Sequence, residues 1–223
     1  MYFPRPSCQC AMHVDRLTKL MMIKNIFFCL LVLLSTIEAV SAQSIVQNKI
    51  FPVPVGGQLP KSFWTYKHSM LQQGTPGAYS LYSDKGKLII LDFWATWCGS
   101  CIKRFPELAE IEKAFPGKVR VLLVNSVGTG DTQESLISKF KSGSKAFSAT
   151  ALSVIIADTV FLRTFPHQAL PHYVWIADGG VRAITTAELL TVENVRLLLE
   201  HMDTLNSRRK NIDALRTKNK LRR

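Results

Sequence analysis

The 223-residue sequence contains only five cysteines, and three of them, Cys8, Cys10 and Cys29, lie within the first 42 residues. The other two, Cys98 and Cys101, are only three positions apart. A bridge between them would close almost no loop and so would add little to stability. The sequence is therefore not that of a disulfide-stapled scaffold, and this pair of thiols is a candidate for chemistry.

Long apolar runs are also absent. The longest, Ile26–Leu34, has nine residues, whereas a membrane-spanning helix needs about 20. Lys24 precedes this run and small residues ending at Ala42 follow it, which is typical of a leader that is cleaved on export. We interpret residues 1–42 as a leader and expect an exported, periplasmic protein; an uncleaved anchor is the alternative interpretation.

Acidic residues are scarce, with 16 Asp and Glu against 28 Lys and Arg. The excess lies mainly in residues 206–223, which hold eight Lys or Arg and one Asp, whereas residues 43–205 hold 16 basic and 13 acidic residues. This distribution gives the central region no nucleic-acid footprint. We expect residues 206–223 to be either a solvated tail or a segment that contacts anionic lipid head groups weakly.

One stretch joins a predicted strand to a predicted helix and carries both of the remaining cysteines. Leu88–Phe93 is a short apolar run interrupted once, by Asp92, which is typical of a strand buried on both faces. Beyond Cys98 and Cys101, apolar residues recur at spacings of three and four as far as Phe115, which predicts an amphipathic helix. The two thiols are therefore expected in the first turn of a helix that follows a buried strand.

This placement suits thiol–disulfide exchange. The unpaired N–H groups of a helix N-terminus stabilise a thiolate, so the pKa of Cys98 should lie below the free value of about 8.5. Cys101 is one turn further on and within disulfide reach. Cys98 would attack a substrate disulfide and Cys101 would resolve the mixed disulfide. Asp92 needs a partner or a raised pKa, and a raised pKa would suit proton transfer with Cys101.

The segment DFWATWCGSC resembles the active-site segment of the thioredoxin superfamily, and within it the exported TlpA-like disulfide reductases. The segment LPHYVWIADGG resembles the part of that family which carries a cis-proline, a following strand and a hairpin turn. The resemblance implies a cis Leu170-Pro171 bond beside the cysteines. It also implies substrate contacts by Trp97, Gly99, Leu170 and Pro171, and no metal or organic cofactor.

Three further residues bear on this resemblance. Pro106 matches the proline that kinks the active-site helix of the family. Ser100 stands where TlpA-like proteins usually carry proline, and Arg104 where they often carry an acidic residue. We expect a cation near Cys98 to favour its thiolate and to make the dithiol more oxidising.

The resemblance implies an α/β thioredoxin fold over residues 43–205, with a central mixed β-sheet flanked by helices, a C-terminal β-hairpin and a closing helix. Residues 43–86 are weakly patterned, with Gly74-Thr75-Pro76-Gly77 predicted as a loop. The periodicity predicts strands at Val119–Val124, Leu152–Ile156, Tyr173–Ile176 and Val181–Ile184, and helices at Asp131–Phe140, Asp158–Phe165 and Thr191–Leu205.

These observations predict an exported thiol–disulfide oxidoreductase, and specifically a reductase of protein disulfides that receives electrons from a membrane partner. A zinc module built from the two thiols with His167 and His172 is an alternative. It is disfavoured because 65 residues separate Cys101 from His167, against about 12 to 15 in a zinc finger. The sequence is also compatible with a peroxidase on the same fold and with a non-catalytic thioredoxin-like interaction module.

Overall fold

The structure is a computed structural model that describes residues 24–26, 28, 51–142, 147 and 151–221. The chain divides into two compact units, residues 1–49 and residues 50–223. The predicted leader therefore lies almost entirely outside the described residues. Within the described ranges no helix is long and apolar enough to cross a membrane.

The second unit alternates strands and helices. Its elements in chain order are α1 (Lys61–Thr65), β1 (His68–Gln72), β2 (Thr75–Tyr79), β3 (Leu88–Phe93), α2 (Gly99–Lys103), α3 (Phe105–Ala114), β4 (Val119–Ser126), α4 (Gln133–Lys141), β5 (Ser153–Asp158), α5 (Val160–Thr164), β6 (His172–Ala177), β7 (Gly180–Thr185) and α6 (Val192–Leu221).

The strands form one mixed sheet in the order β2-β1-β5-β4-β3-β6-β7. Strand β4 is parallel to both β3 and β5, whereas the pairs β3–β6, β6–β7, β1–β5 and β1–β2 are antiparallel. Strand β3 therefore lies inside the sheet, and all six of its residues are buried. The predicted fold class, a mixed sheet with a C-terminal hairpin and a closing helix, is confirmed.

Side chains alternate between two apolar layers on opposite faces of the sheet. Ile89, Leu91 and Phe93 of β3 pack in a layer that also contains aromatic residues of α1 and α5. Ile90 packs in the other layer, together with residues of α2, α3, α4 and α6 and both cysteines. Strand alternation places Asp92, two residues after Ile90, on the face that carries the dithiol.

The prediction of a loop at Gly74-Thr75-Pro76-Gly77 was wrong for most of its length. Only Gln73 and Gly74 form the turn, and Thr75–Tyr79 is the edge strand β2. Its first four residues are exposed, so the segment has no apolar alternation to reveal it. Pro76 is tolerated because an edge strand has one side without a partner.

The end of the last helix was also predicted wrongly. Helix α6 continues to Leu221 instead of ending at Leu205. The prediction placed the end where the apolar periodicity stops. Residues 206–221, however, contain neither glycine nor proline, and their many Arg, Lys and Leu residues are good helix formers.

Candidate active site

The two cysteines lie at the start of α2, directly after the buried strand β3. Cys98 is the N-cap of α2, and its Sγ accepts a hydrogen bond from the N–H of Cys101 at 3.3 Å. The two residues form a disulfide, with their Cα atoms 5.4 Å apart. Cys98 is 5% exposed and Cys101 is fully buried. Of the two cysteines, Cys98 is thus the one that keeps some solvent exposure, and the order of attack stays a prediction.

The helix that begins at the cysteines is broken after one turn. Helix α2 ends at Lys103, and α3 begins at Phe105 with Pro106 in its first turn. Proline has no N–H to donate to the carbonyl of Ile102, and its ring clashes with that carbonyl. The kink expected from Pro106 is confirmed, and the break leaves Arg104 at the junction between the two helices.

Asp92 is fully buried and lies opposite Tyr173 across the β3–β6 pair. Neither carboxyl oxygen has a hydrogen-bond partner among the described residues. Burial raises the pKa of Asp92 well above its ordinary value, and the positive charge of Arg104 opposes that rise only in part. The raised pKa agrees with the sequence-based expectation, because burial in an apolar layer without a partner disfavours the ionised form of a carboxyl.

Arg104 acts on the Asp92 side of the site. Its Nη2 donates to the carbonyl of Leu190 at 3.1 Å and lies 3.0 Å from Oε2 of Glu107. Burial and the charge of Asp92 raise the pKa of Tyr173, and Arg104 again opposes the rise. The expected influence of Arg104 on Cys98 stays a prediction.

The loop before the cysteines is held by a polar network that the sequence did not reveal. The Asp131 carboxylate accepts hydrogen bonds from the backbone N–H of Thr96 at 2.9 Å, from the Thr96 hydroxyl, and from Nδ2 of Asn125 at 2.6 Å. The indole N–H of Trp97 donates to the carbonyl of Thr129 at 2.8 Å. The loop after β4 therefore fixes the two residues that precede Cys98.

Asp131 directly precedes the N-cap of helix α4. That cap is Thr132, whose side chain accepts a hydrogen bond from the N–H of Ser135. Since Thr132 performs the capping, the Asp131 carboxylate is available to bind the active-site loop 35 residues earlier.

The Leu170-Pro171 peptide bond is cis, as the resemblance implied. Both residues are half-buried, whereas Trp97 and Gly99 are exposed on either side of Cys98. Trp97, Leu170 and His167 are among the residues that line a cavity of about 200 Å³. The structure thus brings Trp97 and Leu170, two of the predicted substrate contacts, to one concave surface beside the dithiol.

His167 and His172 are close together in space. Their rings stack with centroids 4.7 Å apart, and both contact Phe93. Burial, together with the charge of His167, lowers the pKa of His172 to about 4. Among the described residues no group of three or more His, Cys, Asp or Glu side chains is arranged to hold a metal ion.

Known proteins resemble this chain chiefly around the dithiol. The family model described as Thioredoxin matches residues 78–141. Thioredoxin-like protein YneN of Bacillus subtilis is 41% identical over 46 residues, which are 21% of this chain and 27% of that protein. Thioredoxin of Rickettsia felis is 49% identical over 37 residues, which are 17% of this chain and 35% of that protein. The chain thus spans about a third or less of the length of these curated relatives.

The fold extends well beyond those segments. The crystal structure of the pneumococcal exposed lipoprotein thioredoxin (Etrx1) from Streptococcus pneumoniae superposes with a TM-score of 0.50 at 23% identity. The match covers 61% of this chain and 99% of that one. Residues 78–141 thus match the Thioredoxin family around the dithiol, and the mixed sheet and the cis Leu170-Pro171 bond belong to a thioredoxin-like fold.

Proposed function

We propose that this protein is a thiol–disulfide oxidoreductase of the TlpA-like type that reduces disulfides in other proteins. The observation that carries the proposal is the asymmetry of the Cys98–Cys101 disulfide, because Cys98 is 5% exposed and Cys101 is fully buried. Strand alternation places Asp92 on the same face of the sheet as the two cysteines. An enzyme that works through a mixed disulfide needs these two environments, because one thiol must be accessible to the substrate and the other must react only after the mixed disulfide has formed.

In the first step the reduced protein attacks the substrate. The Cys98 thiolate attacks one sulfur of a substrate disulfide, that disulfide breaks, and a bond forms between the substrate and Cys98. The released substrate thiolate takes a proton from solvent. Two groups next to the Cys98 sulfur support its thiolate form: the backbone N–H of Cys101 at 3.3 Å and the Ser100 hydroxyl at 3.6 Å. The positive end of the helix acts in the same direction.

In the second step Cys101 resolves the mixed disulfide. Its thiol gives a proton to the Asp92 carboxylate, and the resulting thiolate attacks the sulfur of Cys98. The substrate leaves as a second thiolate, which takes a proton from solvent, and the Cys98–Cys101 disulfide forms. Asp92 then returns the proton of Cys101 to solvent. The substrate has then gained two electrons and two protons. A carboxyl whose pKa is raised by burial suits this transfer, because its proton affinity is closer to that of a thiol.

Substrate binding is assigned to the surface around Cys98. Trp97 and Gly99 are exposed on either side of Cys98, and Leu170, which precedes Pro171, lines the same cavity as Trp97. We infer that an extended segment of the substrate lies along Leu170 and Pro171, which places its disulfide opposite Cys98. The half-buried position of Leu170 beside a cavity of about 200 Å³ supports an apolar contact.

We place this activity outside the cytoplasm, in the bacterial periplasm. The apolar run Ile26–Leu34 with its small-residue border supports export, and the pneumococcal protein with the same fold is named an exposed lipoprotein. A reductase in that compartment needs two electrons per cycle, and a membrane partner is the proposed source. N-terminal mass spectrometry of protein from the envelope fraction tests this placement: we expect the chain to begin at Gln43.

Trapping tests the assigned roles. With reduced protein, the Cys101→Ser variant should accumulate as a mixed disulfide with its substrates, whereas the Cys98→Ser variant should trap nothing and reduce nothing. The two variants are matched controls, since each removes one sulfur from the same disulfide. Equal trapping by both variants, or disulfide reduction by Cys98→Ser, would overturn the proposal.

A further inference from the structure

Helix α6 has two parts with different surroundings. Val195, Leu199 and Met202 in its first half are buried against the domain. From Ser207 to Lys220 every side chain is exposed, yet the helix is continuous to Leu221. We call Ser207–Leu221 the basic arm. Short helices without tertiary packing are only marginally stable in water, so the arm lacks the support that the first half has.

The positive charge of the arm further lowers the stability of this part of the helix. It carries six basic residues and one acidic residue: Arg208, Arg209, Lys210, Arg216, Lys218 and Lys220 against Asp213. Asp213 and Arg216 form an ion pair at 3.9 Å, with both side chains well exposed. Exposed pairs of this kind contribute little, so the net charge of +5, from six basic residues and one acidic residue, is largely uncompensated. An external anion would therefore stabilise the arm.

Ile212 and Leu215 of the arm, together with Leu205 just before it, share a helix face with Arg208 and Arg216. At about 100° per residue, the arc from Leu215 through Arg208, Ile212 and Leu205 to Arg216 covers roughly 100°. Leu205, Ile212 and Leu215 are 37%, 49% and 61% exposed. This face offers apolar side chains and guanidinium groups side by side.

We propose that the basic arm binds the surface of membranes that contain anionic phospholipids. Arginine side chains would meet the phosphate head groups, and Ile212 and Leu215 would enter the boundary between head groups and acyl chains. This proposal does not depend on the redox chemistry of the dithiol.

Two other partners fit the face less well. A nucleic acid would engage the charges through its phosphates but would leave Ile212 and Leu215 in water. Residues 43–205 also carry a net charge of only +3, from 16 basic and 13 acidic residues, so the rest of the protein adds little to a nucleic-acid footprint. A second copy of the arm would bring six like charges against six others. A membrane surface takes up both the apolar and the basic side chains.

Because α6 is continuous, binding of the basic arm to a membrane would also limit the distance between the domain and that membrane. The 15 residues of the arm span about 22 Å at 1.5 Å per residue. Because the helix does not break between Met202 and Ser207, an arm lying on a bilayer keeps the domain within about that distance of the surface. A domain that receives electrons from a membrane partner would gain from such proximity.

Binding of the full-length protein to sedimentable vesicles tests the proposal. Vesicles of phosphatidylglycerol and phosphatidylcholine are compared with vesicles of phosphatidylcholine alone, which measures the part of the binding that needs anionic lipid. Any contribution of the first 42 residues is the same in all the variants. The arm variant carries Arg208→Glu, Arg209→Glu and Arg216→Glu. The matched control variant carries the same change of charge at three exposed lysines elsewhere: Lys61→Glu, Lys67→Glu and Lys139→Glu.

We expect the arm variant to bind the anionic vesicles on the order of 100-fold more weakly than the unmodified protein, since each basic residue near such a surface contributes about 1 kcal/mol. The control variant should bind within a few-fold of the unmodified protein, and both should keep the same disulfide reductase activity in solution. An Ile212→Gln, Leu215→Gln variant should lose binding that persists at high salt.

Three results would overturn the proposal. The first is equal binding of the arm and control variants to anionic vesicles. The second is no preference of the unmodified protein for anionic over neutral vesicles. The third combines two observations. The arm variant loses binding to duplex DNA as steeply as it loses binding to anionic vesicles, and the Ile212→Gln, Leu215→Gln variant binds the vesicles as the unmodified protein does. The arm would then be a general site for polyanions.

Discussion

Replacing Asp92 by asparagine should make the oxidised protein more stable at neutral pH. Asparagine has nearly the same shape as aspartic acid and cannot ionise, so it resembles the neutral carboxyl that burial favours. The folded protein holds the Asp92 proton to a higher pH than the unfolded chain, in which the pKa is near 3.8. Wild type is therefore fully stabilised by this proton below about pH 4 and loses that stability as pH rises toward the folded-state pKa.

The change of this stability difference with pH follows from the titration of one proton. Between the two pKa values the free energy of unfolding of wild type falls by about 1.4 kcal/mol per pH unit relative to Asp92→Asn. The fall stops above the folded-state pKa. From about pH 5 to about pH 8 the difference between the two proteins can therefore grow by at most about 4 kcal/mol. The charge of Arg104 reduces the gain, because it favours the ionised carboxylate.

Denaturant unfolding of the two oxidised proteins at several pH values measures this difference. With the disulfide intact the cysteines do not titrate, and the other groups cancel between the two proteins. Asp84→Asn is the matched control, since Asp84 is also buried but lies 2.7 Å from Nζ of Lys87. Removing that partnered carboxylate should lower stability near pH 7. A flat difference for Asp92→Asn, or a variant less stable than wild type at about pH 8, would refute the reasoning.

The same variant should lose activity where it gains stability. Asparagine cannot accept the proton of Cys101, so the mixed disulfide should be resolved more slowly, by about 10² to 10⁴-fold for the loss of a general base. Stopped-flow measurement of single turnovers separates the attack by Cys98, which should be little changed, from the resolution step. A variant that resolves mixed disulfides at the wild-type rate would remove Asp92 from the mechanism.

Three further predictions concern neighbouring residues. Ser100→Ala should slow alkylation of the reduced Cys98 at pH 7 by about 2- to 10-fold, because one hydrogen bond to the thiolate is lost; no change would remove Ser100 from thiolate stabilisation. Asp131→Ala should lower the free energy of unfolding by about 2 kcal/mol, since the active-site loop loses its acceptor; denaturant unfolding measures this, and an unchanged midpoint would contradict it. Arg104→Met should raise the pKa of Asp92 further, which difference titration of the carboxyl by NMR would detect, and a lowered pKa would reverse the assigned sign.

Several elements of this protein could be predicted from the local sequence pattern alone. The bounds of β3, Leu88–Phe93, were predicted without error, because five apolar residues interrupted only by Asp92 and preceded by a turn are typical of a buried strand. The turn between β6 and β7 was also predicted. Asp178 and Gly179 adopt φ values of 49° and 80°, and these are residue types that tolerate positive φ. The placement of Cys98 and Cys101 at a helix start follows from the same local pattern.

Features that rest on contacts distant in sequence could be found only in the tertiary structure. Strand β2 is a strand because β1 pairs with it, and its own exposed residues carry no signal. Asp131 supports the active-site loop because β4 returns beside β3, which brings residues 35 positions apart into hydrogen-bond distance. Arg104 acts on Asp92 because the break between α2 and α3 leaves its guanidinium on that side of the dithiol.

The sequence by itself determined the buried strand, the two thiols at a helix start and the hairpin, because each depends on neighbours within one or two turns of the chain. Only the tertiary structure decided that Cys98 keeps slightly more solvent exposure than Cys101, and which groups surround Asp92. It also decided that α6 continues past the core. Burial and electrostatic environment are set by what packs around a residue, and those neighbours come from strands and helices that are far apart in the sequence.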